Sequence, residues 1–127
     1  MKLIKDGPGV PAPGGHYSAA VVTGGMVYAS GCVGLLQETG KLAPDFEGQV
    51  KATLSNLDAA LAAAGARPQD VVKTTCYLSK RENFAEFNTL YASFFGNHRP
   101  ARTTVTVILN PGVLFELDAV AVQSDRQ

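Results

Sequence analysis

The sequence predicts an α+β domain in which two helices cover one face of a single mixed β-sheet. Three observations support this fold class. The length of 127 residues suits one domain with one hydrophobic core. Segments with strand and helix patterns follow one another as strands, helix, strand, helix and two strands. No repeat and no low-complexity linker interrupts this order, so we treat residues 1–127 as a single domain.

The first quarter of the chain has the pattern of short strands joined by glycine turns. Residues 2–6 are expected to form a short edge strand, whereas proline and glycine exclude regular structure over 7–15. Residues 17–31 read as strand, turn and strand, because a Gly-Gly pair stands between two β-branched runs. A second tight turn is expected over 37–42, where a glycine can adopt positive φ.

Residues 45–66 carry the clearest helical pattern. Apolar residues recur there at intervals of four, three and four, which places them on one helical stripe: Val50, Leu54, Leu57 and Leu61. Asp45 is the expected N-cap, and Gly65 is the expected residue just beyond the C-cap.

The remaining segments are a strand, a helix and a predicted hairpin. Residues 70–79 are β-branched and aromatic, which favours a strand. Residues 83–96 predict a second helix, and residues 101–109 and 114–123 predict two strands that turn at 110–112. The expected buried stripe of the second helix contains Phe84, Phe87, Tyr91 and Phe94.

With two helices on one side, the other face of the sheet is left uncovered. Depending on the register of the strands, that face carries Thr74, Cys76, Thr103 and Val105. A half-apolar open face of this size usually packs against a partner. We therefore expect a homo-oligomer in which sheet faces pack together.

The composition limits the compartment and the class of partner. Eleven basic and 11 acidic residues give a formal net charge of zero, which does not suggest a nucleic-acid partner. No apolar run approaches the ~20 residues of a membrane helix, and the N-terminal stretch lacks the apolar core of a signal peptide. Cys32 and Cys76 lack CxxC spacing and are interpreted as free thiols, with a single disulfide as the alternative. We expect a cytoplasmic protein without a membrane partner.

Charged residues stand in the last two predicted strands, where apolar ones would be expected. Side chains alternate across a strand, so an even hairpin register would place Arg102, Thr104 and Glu116 on one side, but the sequence does not fix that register. One interpretation is a cross-strand salt bridge from Arg102 to Glu116 or Asp118. The other is a hydrolytic site, in which the arginine binds a carboxylate bidentately and the glutamate activates water.

Five segments stand in a fixed order along nearly the whole chain: "YASGCVG" (28–34), "VVKTTCYL" (71–78), "NFAEFNTLYASFF" (83–95), "RPARTTV" (99–105) and "FELDAVAV" (115–122). The most specific of them are the "PAR" strand start and the "FELDAVAV" strand. Together they resemble the Rid family, also called YjgF-like proteins, which are deaminases of reactive enamine and imine intermediates.

The resemblance implies a chorismate-mutase-like domain that assembles as a homotrimer with ligand sites in the clefts between subunits. It implies hydrolysis of 2-imino acids or enamines, such as 2-iminopropanoate or 2-iminobutanoate, to 2-keto acids and ammonia. This activity protects pyridoxal-phosphate enzymes from these intermediates. The family uses neither a metal nor an organic cofactor, so none is expected here.

The resemblance also assigns roles to individual residues. Arg102 matches the arginine that binds the substrate carboxylate, and Glu116 matches the acid that positions the attacking water. Tyr17 matches a tyrosine that lines the cleft from the neighbouring subunit. Ser30 and Gly31 match the loop beside the ligand.

Two further positions complete the comparison with the family. Asn88 matches the family asparagine at the site, and Thr104 stands where many members have a cysteine. Threonine offers a hydroxyl and a backbone N–H but no thiol, and Cys32 replaces a polar residue of the family loop. These departures leave the substrate open more than the reaction type.

Other functions remain as alternatives or are disfavoured. The same cleft could belong to a non-catalytic 2-keto acid binding protein, or to a family hydrolase with a different substrate. His16 and His98 lack a second ligand at metal spacing, so no metal site is expected. A ribonuclease activity finds neither a basic stripe nor a catalytic histidine pair in the sequence.

Overall fold

The computed structural model describes residues 1–124, and within this range the predicted succession of elements is confirmed. The strands are β1 (Lys2–Ile4), β2 (Ala20–Thr23), β3 (Met26–Val33), β4 (Val71–Leu78), β5 (Ala101–Thr106) and β6 (Phe115–Val122). The helices are α1 (Phe46–Ala63) and α2 (Phe84–Phe95), each separated from its neighbouring strand β4 by a short 3₁₀ turn, Pro68–Asp70 and Arg81–Asn83. Neither helix is long and apolar enough to cross a membrane.

The strands form one mixed sheet in the spatial order β1-β2-β3-β6-β4-β5. The first three strands are an antiparallel meander, in which the predicted hairpin of β2 and β3 is confirmed and β1 is the edge strand beside β2. Gly24 and Gly25 join β2 to β3 with φ of 57° and 77°, a conformation that suits a two-residue hairpin turn and that glycine adopts without strain.

The predicted hairpin between the last two strands is wrong. β5 pairs in parallel with β4, where Arg102 lies opposite Thr74, and β6 runs antiparallel between β3 and β4. The turn at 110–112 does exist, since the Val113 N–H donates to the Asn110 carbonyl at 3.0 Å, but it lies in a loop that carries the chain back across β4. The segment β4–α2–β5 is a parallel strand–helix–strand unit, and its helix provides the long crossover that parallel pairing requires.

Helix α1 begins and ends where its local signals predict. The Asp45 carboxylate accepts a hydrogen bond from the Gly48 N–H at 2.8 Å, which caps the first turn. At the other end Gly65 has φ of 82°, and the Ala66 N–H donates to the Leu61 carbonyl at 2.8 Å in a Schellman-type termination. The predicted stripe of Val50, Leu54, Leu57 and Leu61 is buried.

Helix α2 buries a stripe slightly different from the predicted one. Phe87, Tyr91 and Phe95 are buried, whereas Phe84 is 41% exposed and Phe94 is only partly buried. The buried residues are four apart, so the helix turns this single row toward the sheet.

Both helices lie on the same face of the sheet, and the alternation along β6 shows which face that is. Phe115, Leu117, Ala119 and Ala121 are buried in the core under the helices, so the side chains between them point to the open face. The expectation that Thr74 and Cys76 lie on the open face is wrong, because both are fully buried on the helix side. By the register of β4 and β5, Thr103 and Val105 do point to the open face.

Candidate functional site

The residues singled out by the sequence divide between two cavities of one chain. The first, the Glu116 cavity, lies on the open face of the sheet, and its lining includes Tyr17, Ser30, Gly31 and Glu116. The second, the Arg102 cavity, lies where α2 meets the start of β5, and its lining includes Asn88 and Arg102. Thr104 lines neither cavity.

Arg102 and Glu116 lie on opposite faces of the sheet. Arg102 is paired in register with Thr74, whose hydroxyl hydrogen-bonds to Tyr91 of α2, so its side chain is on the helix side. Glu116 is paired with Tyr77 on the open side, and β4 lies between the two charged residues. The even hairpin register that would place Arg102, Thr104 and Glu116 on one side is therefore wrong.

The cross-strand salt bridge considered for Arg102 is also wrong. Among residues 1–124 no carboxylate forms an ion pair with Arg102. Its guanidinium carbon instead lies 5.0 Å from the ring centroids of Phe87 and Tyr91, and 5.9 Å from that of Phe84. Cation–π attraction to ring faces stabilises the charge without using the N–H donors. The guanidinium is therefore held in place, and no residue of 1–124 occupies its donors, which a ligand could use.

Tyr91 is fixed beneath Arg102 by a buried hydrogen bond. Its hydroxyl lies 2.7 Å from Thr74 Oγ1, and both side chains are buried. Burial raises the pKa of Tyr91, so the hydroxyl stays protonated. Asn88 lies one helical turn earlier and lines the same cavity. The sequence pattern had assigned Phe87 and Tyr91 to the core alone, and the spacing of aromatic residues carries no signal that a cation will lie over them.

Thr104 follows Arg102 on the same face of β5, beside Cys76 of β4. Its hydroxyl oxygen is buried and has no hydrogen-bond partner among the described residues. Buried polar atoms normally have a partner, so this hydroxyl is an exception among the described residues.

Glu116 lies against the backbone of β3. A Cβ placed on Gly31 would overlap the carboxylate oxygen Oε2 of Glu116 and lie 3.1 Å from its Cδ. A side chain at this position would displace the carboxylate from its present place. The pKa of Glu116 is raised, chiefly by burial and further by the negative charge of Asp118. A carboxylate with increased proton affinity is suited to accept a proton from water.

Asp118 is the second acid of the open face, and Tyr77 donates a hydrogen bond of 2.6 Å to its Oδ2. This hydrogen bond, followed by burial and the charge of Asp118, raises the pKa of Tyr77 to about 12. The phenol therefore stays protonated and remains a donor. Asp118 lines the Glu116 cavity, where its charge acts on Glu116.

Ser30 and Gly31 occupy an irregularity of β3. The register of β3 against β6 shifts between Ala29 and Cys32, as at a β-bulge. The Ser30 hydroxyl donates to the Ser18 carbonyl at 2.6 Å, which ties the bulge to the segment that carries Tyr17. The Tyr17 hydroxyl in turn accepts a hydrogen bond of 3.1 Å from the Gly14 N–H.

Both cysteines are free, as predicted. They flank Leu117 in register from its two neighbouring strands, so β6 separates them. Burial is the main reason that the pKa of each thiol is raised to about 12, and neither forms a thiolate near neutral pH. Within the described part of the chain, His, Cys, Asp and Glu form no group of three or more that could hold a metal ion.

Comparisons with known proteins point to one family. The model of the endoribonuclease L-PSP family matches residues 9–123. A RutC family protein of Aquifex aeolicus is 40% identical over 125 residues, which are 94% of this chain and 99% of that protein. A 2-iminobutanoate/2-iminopropanoate deaminase of Salmonella typhimurium is 38% identical over 117 residues, 89% of this chain and 91% of the deaminase.

A solved structure agrees in both fold and length. The crystal structure of Escherichia coli TdcF with bound serine has a TM-score of 0.90 to this chain at 33% identity, over 97% of this chain and 100% of TdcF. The likeness includes the mixed sheet with its two helices and extends over the segments that carry the motifs. The chain therefore belongs to the endoribonuclease L-PSP family, the Rid or YjgF-like family that its motifs resemble.

Proposed function

We propose that the protein hydrolyses 2-imino acids, or their enamine tautomers, to 2-keto acids and ammonia in clefts between the subunits of a homotrimer. The observation that carries this proposal is the separation of Arg102 from Glu116. Within residues 1–124 neither forms an ion pair, and each lies in its own cavity and on its own face of the sheet. One cavity offers a donor for a carboxylate and the other an acceptor for a proton, so two copies together supply both halves of a hydrolytic site.

Exposed apolar side chains support the assembly. Ile108, in the loop after β5, is 100% exposed, and Val105 and Val107 beside it are also exposed. Tyr28 is 46% exposed on the open face. Exposed apolar side chains on the open face and in the loop after β5 favour contacts with another chain, and a formal net charge of zero permits such contacts between identical copies.

In the proposed mechanism the two halves act in turn. The Arg102 guanidinium of one copy binds the substrate carboxylate with two parallel hydrogen bonds, and the unpartnered Thr104 hydroxyl lies on the same face. Glu116 of a second copy holds a water against C2 and takes its proton as the water oxygen bonds to carbon. The C=N bond becomes the single C–N bond of a carbinolamine.

Collapse of the carbinolamine completes the reaction. Glu116 gives the water proton to the imine nitrogen, which becomes the NH2 group of the carbinolamine. It then takes the proton of the carbinolamine hydroxyl and passes it to nitrogen as the C–N bond breaks, so ammonia leaves and C2 becomes a carbonyl. One water is consumed and no electron is transferred, so the chemistry calls for no redox cofactor. An orienting site with one acid–base group supplies about 10²–10⁴-fold acceleration, which suffices for a bond that also hydrolyses slowly unaided.

A mixing experiment tests both the chemistry and the shared site. Arg102→Ala and Glu116→Gln are each expected to abolish most activity. Imines are generated in situ by an amino-acid oxidase, in the presence of an amine that traps the imine in competition with water. When the two variants are unfolded and refolded together, about a quarter of the sites in a random mixture receive an intact arginine and an intact glutamate. Activity is expected to return to that extent.

The matched control is the double variant Arg102→Ala/Glu116→Gln refolded with Glu116→Gln alone, which offers no intact combination. A mixture of the single variants that stays inactive, although it assembles, would overturn the shared site. Absence of acceleration by the natural sequence would overturn the deaminase. Saturable binding of a 2-keto acid without turnover would then support a binding protein, the second candidate, which the serine bound to Escherichia coli TdcF favours.

A further inference from the structure

A third cavity, the side-chain cavity, lies next to the Glu116 cavity. It has a volume of about 220 Å³ and is lined by the irregular segment 10–14, the C-terminal half of β3 and one face of α1. Tyr17, Ser30, Gly31 and Val33 line both cavities. The wall that separates them therefore consists of the β3 bulge and the ring of Tyr17.

Tyr17 lies at the boundary between the two cavities. This side chain is 53% exposed, and it is held at its hydroxyl by the Gly14 N–H, at the rim of the side-chain cavity. Gly31 contributes no side chain to the wall, and a Cβ at this position would overlap the Glu116 carboxylate. A ligand whose reacting carbon lies at Glu116 is therefore within a few bond lengths of the side-chain cavity.

The side-chain cavity is lined by apolar residues and by polar groups that are already hydrogen-bonded within the protein. Its inner wall comprises Ala19, Cys32, Leu35 and Ala60, and no charged residue contributes to it. The Asn56 amide donates hydrogen bonds of 3.0 Å to the carbonyls of Val33 and Leu35.

The other polar lining groups are also engaged within the protein. The Ser30 hydroxyl donates to Ser18, and the Cys32 thiol donates to the Ser30 carbonyl at 3.5 Å. A charged group entering this space would lose its hydration and find no opposite charge, whereas an apolar group would gain by leaving water.

We propose that the side-chain cavity receives the side chain of the substrate and selects 2-imino acids with branched aliphatic or aromatic side chains over those with charged ones. This inference rests on the proposed function and names the substrate class of the same site. The volume supports it, because an apolar cavity of about 150 Å³ holds a benzene ring and the present one is larger. A methyl side chain would leave most of the space unfilled.

The test compares imines of alanine, leucine and aspartate in the trapping assay. With the natural sequence, kcat/KM for the leucine imine is expected to exceed that for the aspartate imine at least about tenfold. Ala60→Leu fills the inner end of the cavity and should lower kcat/KM for the leucine imine about tenfold, with the alanine imine changed less than about twofold. Ala62→Leu, the same substitution on the exposed side of α1, is the matched control and should change neither.

The outcomes separate this inference from the proposed function. An unchanged leucine-to-alanine ratio in a folded Ala60→Leu protein would overturn the cavity while leaving the deaminase standing. If Ala60→Leu fails to fold, Ala12→Leu at the exposed rim provides the same comparison. If no imine is turned over, the cavity is tested by the affinities of 4-methyl-2-oxopentanoate and pyruvate for the natural and Ala60→Leu proteins. Only 4-methyl-2-oxopentanoate, the larger ligand, is expected to bind more weakly to Ala60→Leu, and equal affinities for both proteins would overturn the cavity.

Discussion

The two charged ends of the candidate site are stabilised in opposite ways. Arg102 lies over aromatic rings, which support its positive charge and leave its N–H donors unused. Glu116 is partly buried beside a second acid, Asp118, so its negative charge is opposed by its surroundings. The first environment suits a group that must stay charged and bind, and the second suits a group that must gain and lose a proton. In the proposed mechanism, binding and proton transfer are therefore assigned to different faces of the fold.

The largest expected effect separates these two roles kinetically. Glu116→Gln keeps the shape but removes the base, so kcat should fall about 10²–10⁴-fold while affinity for a 2-keto acid is retained. Arg102→Lys keeps the charge but loses the bidentate geometry, so KM should rise about tenfold or more with a smaller change in kcat. Steady-state kinetics in the trapping assay measure both. Arg81→Lys, an exposed arginine before α2, is the control, and the same pattern from both site variants would contradict the division of roles.

A smaller effect is expected from the aromatic support of Arg102. Tyr91→Leu removes the ring 5.0 Å from the guanidinium and should raise KM about tenfold, with little change in kcat. Tyr91→Phe keeps the ring and loses only the hydrogen bond to Thr74, so its KM should stay close to that of the natural protein. Thermal melting of both variants monitors the loss of packing. Equal increases of KM in the two variants would show that the ring does not position the arginine.

The smallest effect concerns the pH at which activity is lost. Glu116 must be ionised to act, and its pKa is raised, so kcat/KM should fall as the pH drops through this raised pKa. Asp118→Asn removes the neighbouring negative charge, which lowers the pKa of Glu116 and moves the acid limb of the profile to lower pH. Asp58→Asn on the exposed side of α1 should not move it. If the acid limb of Asp118→Asn stays in place or moves to higher pH, the charge of Asp118 does not raise the pKa of Glu116.

The parts of the fold that depend on neighbouring residues were predictable from the sequence. The caps at Asp45 and Gly65 and the stripe between them define α1 within a few residues. The Gly24-Gly25 turn likewise defines the β2–β3 hairpin. In each case the signal lies within the element or directly beside it, so no distant contact is needed to interpret it.

Strand pairing was not predictable in the same way. The turn at 110–112 is real, but it does not determine which strand β5 or β6 pairs with. The β4–α2–β5 order contained the better signal, because a strand, a helix and a strand of these lengths permit a parallel crossover. Because β6 lies between β3 and β4, it is not a neighbour of β5. The alternation of side chains along β5 and β6 therefore does not show whether Arg102 and Glu116 lie on the same face of the sheet.

The candidate site was predictable as a set of residues but not as an arrangement. Resemblance to the family supplied Arg102 and Glu116 with their roles, and the structure distributes the set between two cavities. The supporting contacts of Tyr91 and Tyr77 lay outside sequence reasoning. An aromatic residue at helical spacing, or in a strand, has the same pattern whether it fills the core or holds a charged neighbour.

The location of Arg102 and Glu116 on opposite faces of one sheet has a consequence for ligand competition. Had β5 shifted by one residue, Arg102 would point to the face that carries Glu116 and Asp118. An arginine near two acids neutralises them, and an incoming anion must then displace a carboxylate that is always present. The fold prevents this self-inhibition by geometry, since no motion of a side chain can carry it through a hydrogen-bonded strand. Both charged groups therefore remain available to bind molecules from outside the chain.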